Sequence, residues 1–171
     1  MCSETNMLGS RFLLPSKVLS RPEPLIIAYG NPLRGDDGAG PYAASLLSRD
    51  DAAESWQIVI CQQLTPEMAE AIAGASVVVF VDADSDLKPG EVAVRFLDPA
   101  SEGVHPIMHQ LDAASLLGWA QTLFGRAPAA WVVGIGAESF ELRESLTPAV
   151  GEGARKAAQA IRELLGPATS V

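Results

Sequence analysis

A glycine-rich loop with two adjacent carboxylates constrains this 171-residue chain more than any other segment. The loop spans residues 30–40 and reads Gly-Asn-Pro-Leu-Arg-Gly-Asp-Asp-Gly-Ala-Gly, directly after the apolar run Leu25–Tyr29. A short apolar run of this kind predicts a buried strand. Pro41 and the Ala- and Leu-rich residues after it indicate a helix, because proline is tolerated in the first helical turn. The segment therefore predicts a strand, a tight loop and a helix.

The two carboxylates of this loop, Asp36 and Asp37, allow several interpretations. Either could cap the helix that follows, as aspartate often does. A phosphate-binding loop is a second interpretation, but the spacing is neither GxGxxG nor a loop ending in Gly-Lys-Ser/Thr, and two acids would repel a pyrophosphate. A third is a catalytic or metal-binding carboxylate, because adjacent acids repel unless a cation, a proton or solvent screens them.

Strands and helices alternate along the rest of the chain. Apolar runs and helix signals predict strands at 56–61, 77–81, 91–97 and 130–136, and helices at about 41–48, 65–74, 108–124 and 147–165. The third and fourth strands are separated by only about eight residues, too few for a parallel crossover, so we expect the fourth strand to be antiparallel and near an edge. This alternation predicts a three-layer α/β/α sandwich with a mostly parallel five-stranded sheet.

Composition and length restrict the organisation and the partners. Twelve Lys and Arg residues against 21 Asp and Glu residues give a formal net charge of −9, which argues against nucleic acid or an anionic membrane as a partner. Residues 1–24 lack a signal-peptide core, and no stretch is long enough to span a bilayer. We therefore expect a poorly ordered leader at 1–24, a single domain at 25–171 and a cytoplasmic location.

The two cysteines of the chain, Cys2 and Cys61, form no CxxC pair, so we expect two free thiols. Cys61 lies in a predicted strand. It is interpreted either as a buried core residue, which is common for free cysteine, or as a nucleophile.

The glycine-rich loop resembles the signature of the [NiFe]-hydrogenase maturation endopeptidases. The resemblance covers the chain from Leu25 onward and is carried by Gly30-Asn31-x-x-x-x-Asp36-Asp37-Gly38-x-Gly40, Phe80-Val81-Asp82-Ala83, Met108-His109-Gln110-Leu111 and Val133-Gly134-Ile135-Gly136-Ala137-Glu138-Ser139. It implies an endopeptidase that removes the C-terminal extension from the nickel-loaded precursor of a hydrogenase large subunit. It also implies a phosphorylase/hydrolase-like sheet with strand order 2-1-3-5-4.

The resemblance assigns the nickel contacts and the catalytic roles to Asp37, Asp82 and His109. Two carboxylates and an imidazole suit a borderline divalent ion such as nickel or zinc. The resemblance further implies that the precursor supplies the nickel, which the free protein would not hold tightly. Asp82 and His109 each have a structural interpretation as well, Asp82 as a turn cap at a strand end and His109 as a capping or surface histidine.

Nearby residues are expected to have other roles. We expect Asp36 to cap the helix or orient Asp37, and Asp84 and Asp86 to be solvated loop residues. His105 has no counterpart in the resemblance. Ser139 invites a serine-nucleophile interpretation, but no histidine is left to act as its base if His109 binds metal.

Two other functions stay open at this stage. One is a metal-dependent hydrolase of another substrate on the same scaffold, and the other is a non-catalytic checkpoint protein that binds the nickel-loaded precursor without cutting it. For the protease, either a carboxylate general base or a nickel-polarised carbonyl could activate the reaction. We expect a monomer whose partner is the large-subunit precursor.

Overall fold

The computed structural model of the chain describes residues 22–49, 55–97 and 112–166. Within these residues, five strands form one sheet: β1 (Leu25–Tyr29), β2 (Gln57–Cys61), β3 (Val77–Asp84), β4 (Val92–Leu97) and β5 (Ala129–Gly136). The helices are α1 (Ala39–Leu47), α2 (Met68–Gly74), α3 (Ala113–Phe124) and α4 (Pro148–Leu165), and a short 3-10 helix, Gly35–Gly38, precedes α1.

The sheet has the strand order β2-β1-β3-β5-β4. All neighbouring pairs are parallel except β4 with β5, which is antiparallel. Both the predicted order and the antiparallel fourth strand are confirmed. The short connection from β3 to β4 explains the direction of β4, because a parallel strand would need a long crossover.

Two apolar cores cover the two faces of the sheet, because successive side chains of a strand point to opposite faces. Ile26 packs on one face with Ile161 of α4, in a core that also includes α1. Ile27 and Phe80 pack on the other face with Leu116 of α3, in a core that also includes α2. All five residues are buried. The predicted three-layer sandwich is therefore confirmed.

Two boundaries of described elements differ by three residues from the predicted ones. β3 continues to Asp84, three residues past the predicted end, because its pairing with β5 persists to Asp84 opposite Gly136. α2 begins at Met68, and the predicted first turn is instead a tighter turn in which Met68 N donates to Thr65 O at 3.1 Å.

The ends of the last two helices follow their capping residues. The Asp112 side chain accepts a hydrogen bond from Ser115 N at 2.7 Å and caps α3, whereas the predicted start of this helix at residue 108 lies outside the described residues. α4 begins at Pro148 after Thr147 and ends before Gly166, as predicted. None of the helices described is long and apolar enough to cross a membrane. Residues 1–21 of the predicted leader lie outside the described residues.

Candidate active site

The carboxyl ends of β1 and β3 bring two of the three predicted site residues to one edge of the sheet. Asp37 lies in the 3-10 helix after β1, and Asp82 lies near the end of β3. β1 and β3 are neighbours with Ala28 opposite Val81, so Asp82 follows one position after this pair. Ligands of parallel sheets gather at this edge. The third predicted residue, His109, lies outside the described residues.

The Asp37 carboxylate is held by the backbone of its own loop. Its Oδ2 accepts a hydrogen bond from Asn31 N at 2.8 Å, and the Asn31 side chain accepts one from Leu33 N at 3.0 Å. Asp37 is half-buried. These contacts close the loop after β1 and fix Asp37 without using it as a cap for α1.

Asp82 is a half-buried carboxylate in surroundings that favour its protonated form. Its pKa is raised from 3.8 to about 6, mainly by burial and also by the negative charges of Asp37 and Asp84. Hydrogen bonds from Ala83 N, at 2.8 Å, and from the Tyr29 hydroxyl oppose this shift because they stabilise the ionised form. The influence of Asp37 on this pKa places the two predicted carboxylates within electrostatic reach of each other.

Tyr29 is a site residue that the sequence analysis missed. It is the last residue of β1, and its hydroxyl bonds to the Asp82 side chain. Its pKa is raised, first by burial and then by the negative charge of Asp82, with smaller effects from Asp112 and Cys61. Its position at the end of an apolar strand could have identified it from the sequence, because the ring of such a tyrosine packs in the core while its hydroxyl needs a hydrogen-bond partner.

Cys61 is the end of β2 and lies opposite Tyr29 in the parallel pairing. Its side chain is half-buried and packs against the core that includes α2 and α3, and its Sγ lies 3.8 Å from the Ala28 carbonyl oxygen. Burial raises the pKa of this thiol. A raised pKa disfavours the thiolate, so these surroundings argue against Cys61 as a nucleophile.

Asp36 is fully buried and does not cap α1, which was one of its two predicted roles. Its carboxylate accepts hydrogen bonds from Glu138 N at 3.2 Å, Ser139 N at 3.0 Å, Thr147 N at 2.7 Å and the Thr147 hydroxyl at 3.1 Å. The expectation that Asp36 caps α1 is therefore wrong. It joins the loop after β1 to the loop between β5 and α4, which satisfies a carboxylate that has no access to water.

Backbone hydrogen bonds extend the junction between these two loops. Asp36 N donates to Ser139 O at 2.8 Å, Gly35 N to Arg143 O at 2.9 Å and Arg143 N to Leu33 O at 3.0 Å. Gly35 has a φ of 57°, and a Cβ at this position would lie 2.8 Å from Ser139 O. Glycine is required here because an L side chain would be strained and would collide. The Ser139 backbone therefore takes part in the junction twice: its N–H donates to the Asp36 carboxylate, and its carbonyl oxygen accepts from Asp36 N.

Asp84 is a strand residue, which corrects the expectation of a solvated loop position. Its Oδ2 forms an ion pair with the Arg95 guanidinium at 3.3 Å, and its Oδ1 accepts a hydrogen bond from Asp86 N at 2.9 Å. Asp86 is exposed, as expected. Asp84 and Asp82 point to the same face of β3, so the ion pair lies beside the candidate site.

No cluster of three His, Cys, Asp or Glu side chains suited to a metal ion occurs in the parts of the chain that the structure describes. Of the three predicted nickel contacts, the described residues include the two carboxylates, Asp37 and Asp82. Carboxylate oxygens can bind a divalent cation, but two such residues leave most of its coordination positions open.

Solved structures of one family share this fold over nearly their whole length. The [NiFe] hydrogenase maturation protease HycI from Thermococcus kodakarensis matches with a TM-score of 0.68 and 25% identity, covering 86% of this chain and 96% of that one. HybD from the same organism matches with a TM-score of 0.67 and 26% identity, covering 84% and 99%. The chain has the fold of the [NiFe]-hydrogenase maturation proteases and is similar to them in sequence. The resemblance seen in the sequence is thereby confirmed.

A third maturation protease has the same fold at lower identity. The hydrogenase maturating endopeptidase HybD from E. coli matches with a TM-score of 0.68 and 24% identity, covering 84% of this chain and 91% of that one. No protein-family model and no curated protein sequence matches the chain. The evidence for the maturation protease family therefore lies in the fold together with the loop at residues 30–40.

Proposed function

We propose that this chain is an endopeptidase that removes the C-terminal extension from the nickel-loaded precursor of a [NiFe]-hydrogenase large subunit. The observation that carries the proposal is the approach of Asp37 and Asp82 at the carboxyl edge of the sheet, in a fold shared with hydrogenase maturation proteases. The two carboxylates come from separate strand ends. Their approach at the edge where parallel sheets bind ligands supports a functional site.

We further propose that the nickel of the precursor contacts Asp37, Asp82 and His109. The raised pKa of Asp82, due mainly to burial and partly to Asp37, supports a cation between the two carboxylates, because a positive charge would offset both effects. His109 precedes Asp112 by three residues, a chain length of at most about 11 Å. The charge of Asp112 acts on Tyr29 at the site, which supports His109 as the third contact.

The proposed cleavage adds water to the scissile carbonyl carbon and transfers a proton to the leaving amine. Asp82 has a pKa of about 6, so it can exchange a proton near neutral pH and is suited to general acid–base catalysis. The nickel of the substrate could instead polarise the carbonyl. In both cases the Tyr29 hydroxyl would orient the Asp82 carboxylate.

Substitutions that remove a proposed nickel-contacting group test the proposed site. Asp37→Asn, Asp82→Asn and His109→Ala should each slow removal of the extension by at least about 100-fold, because each removes a nickel contact. The measurement is the mass of the large subunit after incubation of nickel-loaded precursor with each variant. Asp86→Asn and His105→Ala are the matched controls and should process almost normally. Normal processing by the first three variants would contradict the proposal.

Elemental analysis separates the protease from a metal-dependent hydrolase. A protein that meets nickel in its substrate should purify with far less than one metal ion per chain and bind added Ni²⁺ weakly. One tightly held metal ion per chain would instead favour a resident metal and a different substrate. If the wild-type protein binds the precursor but its mass stays unchanged, the protein is a checkpoint and not a protease.

A further inference from the structure

Three large apolar side chains remain exposed on the two loops joined by Asp36. Leu33 is 50% exposed, Phe140 is 38% exposed and Leu142 is 88% exposed. We refer to these three residues as the loop-pair surface. Exposed apolar side chains that cluster beside a functional site indicate an interaction surface more often than scattered ones do.

The backbone that carries the loop-pair surface is held in place. Arg143 N donates to Leu33 O, and Asp36 N donates to Ser139 O, so the two loops are paired beside each apolar residue. The buried Asp36 carboxylate adds four further hydrogen bonds to the same junction. Apolar side chains on such a constrained backbone lose little conformational freedom on binding, which favours association.

The loop-pair surface adjoins the candidate site. Leu33 precedes Asp37 by four residues, so their Cα atoms are at most about 14 Å apart. An ordinary protein interface buries about 800 Å² per partner, which corresponds to a patch roughly 30 Å across. A protein partner centred on Asp37 would therefore also cover Leu33 and the backbone paired with it.

Charged side chains are interspersed with the apolar residues along these two loops. The exposed charged residues on these two loops are Arg34, Glu138, Glu141, Arg143 and Glu144. Exposed apolar side chains together with charges of both signs are typical of protein–protein interfaces. This composition suits a folded protein surface better than a uniformly charged polymer.

We propose that Leu33, Phe140 and Leu142 form a docking surface for the folded body of the large-subunit precursor. This inference rests on the proposed function and adds a second region of contact, separate from the carboxylates at the scissile bond. Because a few central apolar side chains carry much of the energy of an interface, these residues should determine how tightly the precursor is held.

The test compares the rate of extension removal at different precursor concentrations. Leu33→Ser and Leu142→Ser should each raise the concentration for half-maximal rate at least about fivefold, with the maximal rate within about twofold of wild type. Leu123→Ser is the matched control, because Leu123 is 67% exposed but lies near the far end of α3 from Asp112. The control should behave like wild type, and circular dichroism should show all variants folded.

Several outcomes would overturn the docking surface. Unchanged half-maximal concentrations for Leu33→Ser and Leu142→Ser would do so, as would a lower maximal rate alone. Failure of the wild type to cut the precursor would refute the proposed function. Cosedimentation of the wild type and of Leu142→Ser with uncut precursor then tests the docking surface. Equal binding by the two proteins overturns the docking surface, and weaker binding by the variant supports it. A wild-type dimer that Leu142→Ser converts to monomer would show that a second copy occupies the surface.

Discussion

The carboxylate of Asp36 accepts hydrogen bonds from both the backbone N–H and the hydroxyl of Thr147, at 2.7 and 3.1 Å. Thr147 immediately precedes α4, so one side chain of the loop after β1 fixes where the last helix begins. Because Asp36 is buried and its neighbour Asp37 belongs to the candidate site, the position of the site depends on this long-range contact.

Asp36→Asn should lower the free energy of unfolding by about 2–4 kcal/mol. An amide offers one oxygen in place of two, so buried N–H groups of the partner loop would lose their acceptor. Thr147→Val removes only the hydroxyl contact and should have a smaller effect of about 1 kcal/mol. Urea unfolding measures both, with Asp86→Asn as an exposed control. Equal stability of Asp36→Asn and wild type would show that the junction does not stabilise the fold.

Asp82 should make the protein less stable as the pH rises from about 4 to about 7. Its pKa is 3.8 ordinarily and about 6 in the fold, so folding favours the protonated acid and opposes the ionised one. The penalty is absent below pH 4 and complete above pH 6–7, where it reaches on the order of 2–3 kcal/mol. The stability gained by Asp82→Asn should therefore grow over this range. Carbon-13 NMR of the Asp82 carboxyl measures the pKa, and a midpoint below 4.5 would contradict this prediction.

Tyr29→Phe should raise the pKa of Asp82 further, by about one unit, because the ionised carboxylate loses a hydrogen-bond donor. If processing requires ionised Asp82, the acid limb of the pH–rate profile should move up by the same amount. The rate should then fall several-fold at pH 6–7 and recover at higher pH. Tyr42→Phe, in α1, is the matched control and should leave the profile unchanged. A uniform loss of rate at every pH would mean that Tyr29 acts in another way.

Gly40→Ala should destabilise the protein by about 3 kcal/mol. A Cβ at this position would lie 2.6 Å from Val81 O and 2.8 Å from Tyr29 O, and neither backbone atom can move aside cheaply. Gly151→Ala in α4 is the matched control, because its Cβ would meet no atom within 4 Å. Alanine is the better helix former, so this control should gain about 0.5–1 kcal/mol. Thermal unfolding of both variants measures the difference.

The sequence predicted the fold because each strand is marked by its own apolar run and each helix by its own start and stop residues. The apolar runs are separated by helix-length segments except between β3 and β4, and that short connection fixed the direction of β4. Asp37 and Asp82 could be placed at one edge because each follows a strand of a parallel sheet. Helix and strand ends were less accurate, since the end of β3 depends on its pairing with β5 and not on its own hydrophobicity.

Contacts between distant residues could not be predicted. Asp36 and Asp37 look equivalent in the sequence, but the partners of Asp36 lie 102–111 residues later in the chain. Tyr29 ends an apolar run and its link to Asp82 arises only when β1 and β3 become neighbours. The prediction for His109 stays a prediction, because that residue lies outside the described part of the chain.

The contacts that hold Asp36 and the side chains that surround Asp82 lie in different parts of the molecule. The Asp36 contacts are made with the loop that leads into α4, whereas Tyr29 and Cys61 pack in the layer formed with α2 and α3. A protein engineer could therefore exchange α2 and α3 for those of a relative without altering any of the three residues that donate hydrogen bonds to the Asp36 carboxylate. The same scaffold could in this way present Asp82 to different substrates while the hydrogen bonds of Asp36 stay intact.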